Sequence, residues 1–213
     1  MFEFILRHDK IFAIILVVLF CILLSGCVLT KQSTQNYTVQ DMIDNEYIKI
    51  DDEYHIYTKD VLSEELAEKY VSLIREDLSL VGTLYKNDYY IVLTDEINAT
   101  ASDADAAEYV TQSNIAGITF NDEKIIMLKY DRIQDALLHE IGHAIDNTYG
   151  FSQTEELKSF YEKCGQECYY TSTEKEFFAE TYSMYVLGML NNSGLGKEMN
   201  EYFNKLTTDA IIN

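Results

Sequence analysis

Residues 131–150, DRIQDALLHEIGHAIDNTYG, decide how this chain is read. Ile133, Leu137, Ile141 and Ile145 recur every fourth position, so one apolar stripe runs along an expected buried helix. Inside that helix His139, Glu140 and His143 form HExxH. Two histidines four apart project from successive turns, close enough to share one metal ion. The glutamate beside the first lies where the ion's water would sit. Two internally satisfied core histidines are the alternative. The motif's mid-helix position, straight after two expected strands, and its apolar flanks favour the metal.

A catalytic zinc needs a third protein ligand and one open position. No histidine follows His143, and His55 lies in an expected early strand that nothing places nearby. Asp146 is on the same helix but a turn beyond His143, too far to complete the tetrahedron. The carboxylate is therefore expected from another helix. Residues 175–182, KEFFAETY, put Glu176 and Glu180 four apart on one helical face. On an ordinary amphipathic helix that pair would be a wet edge. Opposite HExxH, Glu176 is expected to be the ligand and Glu180 to hold a zinc histidine from behind. Phe177 and Phe178 dock the helix on the core.

The 213 residues are 47% hydrophobic, enough for one well-buried core but not two. The formal charge of −20 belongs wholly to the part after residue 26, and so acidic a body repels phosphate backbones. Nucleic acid is not an expected partner. At the N-terminus RHDK precedes IFAIILVVLFCILL, residues 11–24, an apolar run of signal-peptide length. The following LSGC, residues 24–27, resembles the lipobox of bacterial lipoproteins. That resemblance implies cleavage after Gly26 and a lipid on Cys27, with an uncleaved anchor as the alternative. The expected organisation is a signal peptide over 1–26, a polar tether over 27–45 and a folded domain over 46–213. The domain would be lipid-anchored on the outer face of the cell membrane. Cys164 and Cys168, in CGQEC, are left either to bond there or to remain thiols.

Between tether and motif, YIKIDDEYHIYT (47–58) has strand character around an acidic turn. Ser63 opens a helix closed by Gly82, with Leu66, Tyr70, Ile74, Leu78 and Val81 on its expected inner face. YYIVLTD (89–95) is a buried strand. Asp103 and Asp105 lie in a looser segment without the ligand spacing of a calcium loop. IAGITF (115–120) and KIIMLKY (124–130) make an expected hairpin. After the motif come a polar helix over 153–164, the Glu176 helix from Thr173, and a last helix over 196–209. Sheet elements first and helices afterwards is α+β order.

HEIGHAID together with EKEFFAETY resembles the catalytic domain of anthrax toxin lethal factor and its smaller secreted relatives, the Pro-Pro endopeptidases. The resemblance covers residues 137–186, about a quarter of the chain. It implies a zincin-like metallopeptidase domain: a small N-terminal mixed sheet with helices, then the active-site helix, then a C-terminal helical subdomain. It also implies that His139, His143 and Glu176 bind one zinc ion and that Glu140 is the general base. A tyrosine seven residues before the ligand glutamate is implied to face the reacting carbonyl, which points to Tyr169, with Tyr170 adjacent. The expected activity is that of a monomeric zinc endopeptidase acting on peptide or protein. IAGITF is the candidate strand for substrate. The proline-proline preference does not carry over, because the residues shaping such a pocket are unmatched. An inert surface-binding lipoprotein on the same scaffold is the alternative, and a structural zinc site would have no need of Glu140.

Overall fold

Five strands and five helices make up the described part of the computed structural model, which covers residues 43, 45–97, 115–164, 173–190 and 194–212. Residues 1–42, 44, 98–114, 165–172, 191–193 and 213 lie outside it. With them go the signal peptide, Cys27, the loop residues Asp103 and Asp105, Cys168, and both Tyr169 and Tyr170. The first described residue, Ile43, is fully buried, and its carbonyl accepts the Tyr47 N–H at 2.9 Å. Among the described residues no helix is long and apolar enough to cross a membrane.

Strands β1 (Ile48–Asp51) and β2 (Ile56–Thr58) form the first antiparallel pair. The acidic turn closes because Asp51 Oδ1 accepts the Tyr54 N–H at 2.8 Å, and Asp51 also pairs with Arg75. His55 sits in that turn at φ 51 and packs its ring edge-on against Tyr90. Helix α1 (Glu64–Val81) then makes the crossover that a parallel strand pair requires, and β3 (Tyr90–Thr94) lies parallel to β2. β4 (Gly117–Phe120) and β5 (Ile125–Lys129) are the expected hairpin, with β5 inserted beside β3 and parallel to it. The sheet order is β1-β2-β3-β5-β4, so β4 is an outer strand. Central β3 buries Ile91, Val92 and Leu93 completely, which is why its sequence is apolar without alternation. The fold is thus a mixed α+β domain built on a small mixed sheet.

Helix α1 begins as its sequence indicates, with Ser63 Oγ accepting the Leu66 N–H. Its buried face overlaps the expected stripe at Ile74 and Val81 and extends to Val71 and Asp77. Val71, Ile74, Asp77 and Val81 are buried, whereas Leu66, Tyr70 and Leu78 are only partly covered. Burial pushes the Asp77 carboxyl up to about 6, aided by the charge of Glu76, and its Oδ2 has no hydrogen-bond partner among the described residues. The periodicity of apolar residues alone could not reveal a carboxyl on the inner face.

Helix α2 (Ile133–Tyr149) is the centre of the domain and packs on α1, β4, β5 and, most extensively, α4. Ile133, Leu137, Ile141 and Ile145 are all buried, as the stripe requires. The helix ends at Gly150 in the left-handed conformation, whose N–H returns to the Asp146 carbonyl at 2.7 Å. Helices α3 (Glu155–Cys164), α4 (Glu174–Val186) and α5 (Gly194–Ile212) complete the chain. Phe178 and Tyr182 of α4 stack on each other and both meet Phe203 of α5, so the apolar side of α4 is fixed by aromatic rings. Cys164, at the end of α3, is disulfide-bonded.

Tyr89 joins the hairpin to the central helix. Its buried hydroxyl donates to Asn121 Oδ1 in the β4–β5 turn and accepts from Asn147 Nδ2 of α2, each at 3.2 Å.

Candidate metal centre

Helices α2 and α4 cross with almost no space between their backbones. A Cβ added to Gly142 would lie 2.7 Å from the Cα of Ala179 and 3.1 Å from its carbonyl oxygen. Gly142 is the fourth residue of HEIGH and Ala179 the residue before Glu180, so the two motifs touch through their smallest members. A glycine inside a helix costs about 1 kcal/mol relative to alanine, and close approach is the compensating gain here. The contact places His139 and His143 opposite Glu176 and Glu180.

The polar groups converge as the spacing requires. His139 Nε2 and His143 Nε2 are 3.1 Å apart, with their rings nearly perpendicular. Glu176 Oε2 lies 3.3 Å from His139 Nε2, and Glu176 Oε1 lies 3.3 Å from His143 Nε2. Taking one atom from each residue, all three ligand atoms fall within 4.8 Å. Ligands bound at about 2.0–2.1 Å around a tetrahedral ion are separated by about 3.3 Å, so this donor set has the span of one zinc-sized ion. Glu180 Oε2 lies 3.3 Å from the other ring nitrogen, His139 Nδ1. An Nδ1–H given to that carboxylate leaves Nε2 as the free donor atom and fixes the ring plane.

Helix α4 presents Glu176 from its first turn. Thr173 Oγ1 accepts the Glu176 N–H at 3.2 Å and so caps the helix. In a capping box the glutamate at this position would reach back to the capping residue. Glu176 points to the histidines instead, and the positive helix start favours its charge.

Glu140 is buried against β4. Thr119 Oγ1 lies 2.8 Å from its Oε2 and 3.0 Å from its main-chain carbonyl, and a Cβ on Gly117 would come within 2.9 Å of its Cγ. Asp146, the carboxylate nearest the motif in sequence, is taken up elsewhere. Its Oδ1 accepts the Ser152 N–H and its Oδ2 the Ser152 hydroxyl, both at 2.6 Å. It secures the turn after α2 and makes no contribution to the histidine cluster. Thr119, Gly117 and Ser152 were not legible as participants. Gly142 carried a signal, being a glycine within an otherwise strongly apolar helix.

Without a metal ion the cluster is held by protons. Burial works against a charged His139 ring, but the carboxylates of Glu176 and Glu180 and the charge of Glu140 outweigh it and raise the pKa from 6.5 to about 10. Burial likewise opposes the Glu176 carboxylate, and the two histidines overcome it, holding that group far below its ordinary 4.5. The raised histidine contributes stability fully below pH 6.5, and that contribution is lost as pH rises through about 10. The lowered glutamate contributes above 4.5 and loses its contribution as pH falls further. A divalent ion must displace the His139 proton, so its affinity moves the opposite way and increases with pH. Metal-free protein should therefore melt at a lower temperature at pH 8.5 than at pH 6, while the increment on adding zinc should grow. Thermal melts with and without the ion check this. A flat metal-free profile over that interval would show that the histidine is not held as described.

No protein-family model matches the chain, and no curated protein does. What the fold and the cluster define is an α+β domain with a potential metal centre of two histidines and a glutamate, His139, His143 and Glu176.

Proposed function

We propose that the chain is a zinc-dependent endopeptidase of the lethal factor-like zincin type, held at the outer face of a bacterial membrane by a lipid on Cys27 and working as a monomer. The observation that supports it most is the convergence of His139, His143 and Glu176 next to the buried Glu140. Zinc in that site would polarise the scissile carbonyl and lower the pKa of a water towards 7. Glu140 takes a proton from the attacking water on its carboxylate and delivers it to the leaving amine. Tyr169 is assigned to the carbonyl oxygen as negative charge grows there, with Tyr170 as the alternative.

The outer edge of the sheet supports a site for the peptide in this reading. Lys129 N–H donates to the Ala116 carbonyl at 3.0 Å, which makes 116 with 129, 118 with 127 and 120 with 125 the hydrogen-bonded pairs. The intervening residues of β4, Gly117 and Thr119, aim their main-chain groups away from β5 towards the outer edge, where no other described strand pairs. An extended peptide laid along that edge would pair with those groups. These are also the residues that touch Glu140, so the peptide and the base share one strand.

The test is cleavage of a diverse peptide library by zinc-loaded protein, with cut sites read by mass spectrometry. Glu140→Gln is expected to keep its zinc and lose at least about 100-fold in rate, the ordinary contribution of a positioned base. Comparable cleavage by this variant would remove Glu140 from the role. A zinc-loaded wild-type protein that cuts nothing would favour the inert surface-binding lipoprotein instead.

A further inference from the structure

We infer that Thr119 is a positioning residue for Glu140: its hydroxyl holds one carboxylate oxygen and leaves the other for the travelling proton. The inference rests on Glu140 being the base. A threonine hydroxyl has a single hydrogen, and two acceptors lie within its reach, Glu140 Oε2 at 2.8 Å and the Glu140 carbonyl at 3.0 Å. The carboxylate is the nearer and the charged one, and a hydrogen bond to an ionised acceptor is roughly twice as strong as a neutral one. The Glu140 carbonyl already lies within the hydrogen-bonded ladder of α2, where it needs no second donor.

The strand is shaped for this contact. Side chains two apart in a strand share a face, so Gly117 and Thr119 both look at Glu140. Gly117 has no Cβ, and one placed there would meet Glu140 Cγ at 2.9 Å and Oε1 at 3.1 Å. Glycine gives the carboxylate room to lie against the strand, and threonine two positions on fixes its far oxygen. Ile118 between them is buried on the other side. With Oε2 engaged, Oε1 is the oxygen that receives the proton from water and returns it. The outward main chain of the same two residues is where the proposed peptide pairs, so Thr119 aligns the base relative to the strand that aligns the peptide.

Thr119→Val keeps the shape and removes the hydroxyl, and Thr119→Ser restores it. With zinc content and KM unchanged, the valine variant is expected to lose on the order of 10- to 100-fold in kcat, as misplaced catalytic groups do. Serine should recover most of that loss. Crystal structures of wild-type and Thr119→Val protein, both loaded with zinc, should show the Glu140 carboxylate turned away from β4 in the variant only. Wild-type kcat in the valine variant, a lowered melting temperature with no loss of kcat, or an unmoved carboxylate would each overturn the inference and leave the peptidase reading intact. A zinc-loaded wild-type protein that cleaves no peptide overturns both.

Discussion

Glu176→Ala is expected to give a folded protein that no longer retains a divalent ion through gel filtration, with affinity reduced more than about 100-fold. Glu180→Ala is expected to keep the ion at an affinity lower by about 10–100-fold, the usual effect of removing a group that orients a ligand. The two acids occupy the same face of α4 and both reach His139, but through different nitrogens. Glu176 meets Nε2, the nitrogen that also faces His143, and Glu180 meets Nδ1 on the far side. Only the first has an oxygen among the converging donor atoms. Removing Glu176 would take away one of the three candidate ligands, whereas removing Glu180 would let the ring of His139 turn. Metal analysis after gel filtration, with competition against a chelator of known affinity, separates the outcomes. Equal retention by the two variants would reverse the assignment of ligand and supporting acid.

Gly142→Ala, a change of one methyl group, should lower stability and metal affinity together. The added carbon would stand 2.7 Å from a backbone atom of Ala179, and neither partner is a flexible side chain able to swing aside. The helices must part, and overpacking of this kind costs about 1–3 kcal/mol. Separation also carries Glu176 away from the histidines, so metal affinity should fall by about tenfold or more together with stability. Alanine improves the intrinsic helix propensity of α2 by about 1 kcal/mol, so a propensity argument alone predicts the opposite sign. Denaturant unfolding of the metal-free variant and zinc titration of the native one measure the two effects. A variant as stable as its parent would mean that the helices do not approach so closely.

Much of the cluster was legible because its information is local. HExxH sets two side chains on adjacent turns, and EFFAE does the same for Glu176 and Glu180, so only the meeting of two helices had to be supplied by the fold. The hairpin and the capped helices were legible for the same reason, through turn residues, Ser63 and Thr173. Contacts between distant segments were not. Thr119 and Glu140 are 21 residues apart, and nothing in ITF marks the threonine as a partner. On the inner face of α1, Ile74 and Val81 are buried and Tyr70 and Leu78 pack against the core as expected, whereas the burial of Asp77 was not legible, because periodicity registers only apolar residues. Asp146 was set aside for its distance from the ion, and its actual work, fastening Ser152, depends on the turn that follows α2.

The hydroxyl of Tyr89 gives the domain a mechanical property. Together with the Thr119 contact it stakes the β4–β5 hairpin to α2 at two separate points, one at Glu140 and one at Asn147. A load applied along the outer edge of β4 is thereby passed to α2 through two side-chain contacts as well as through the backbone.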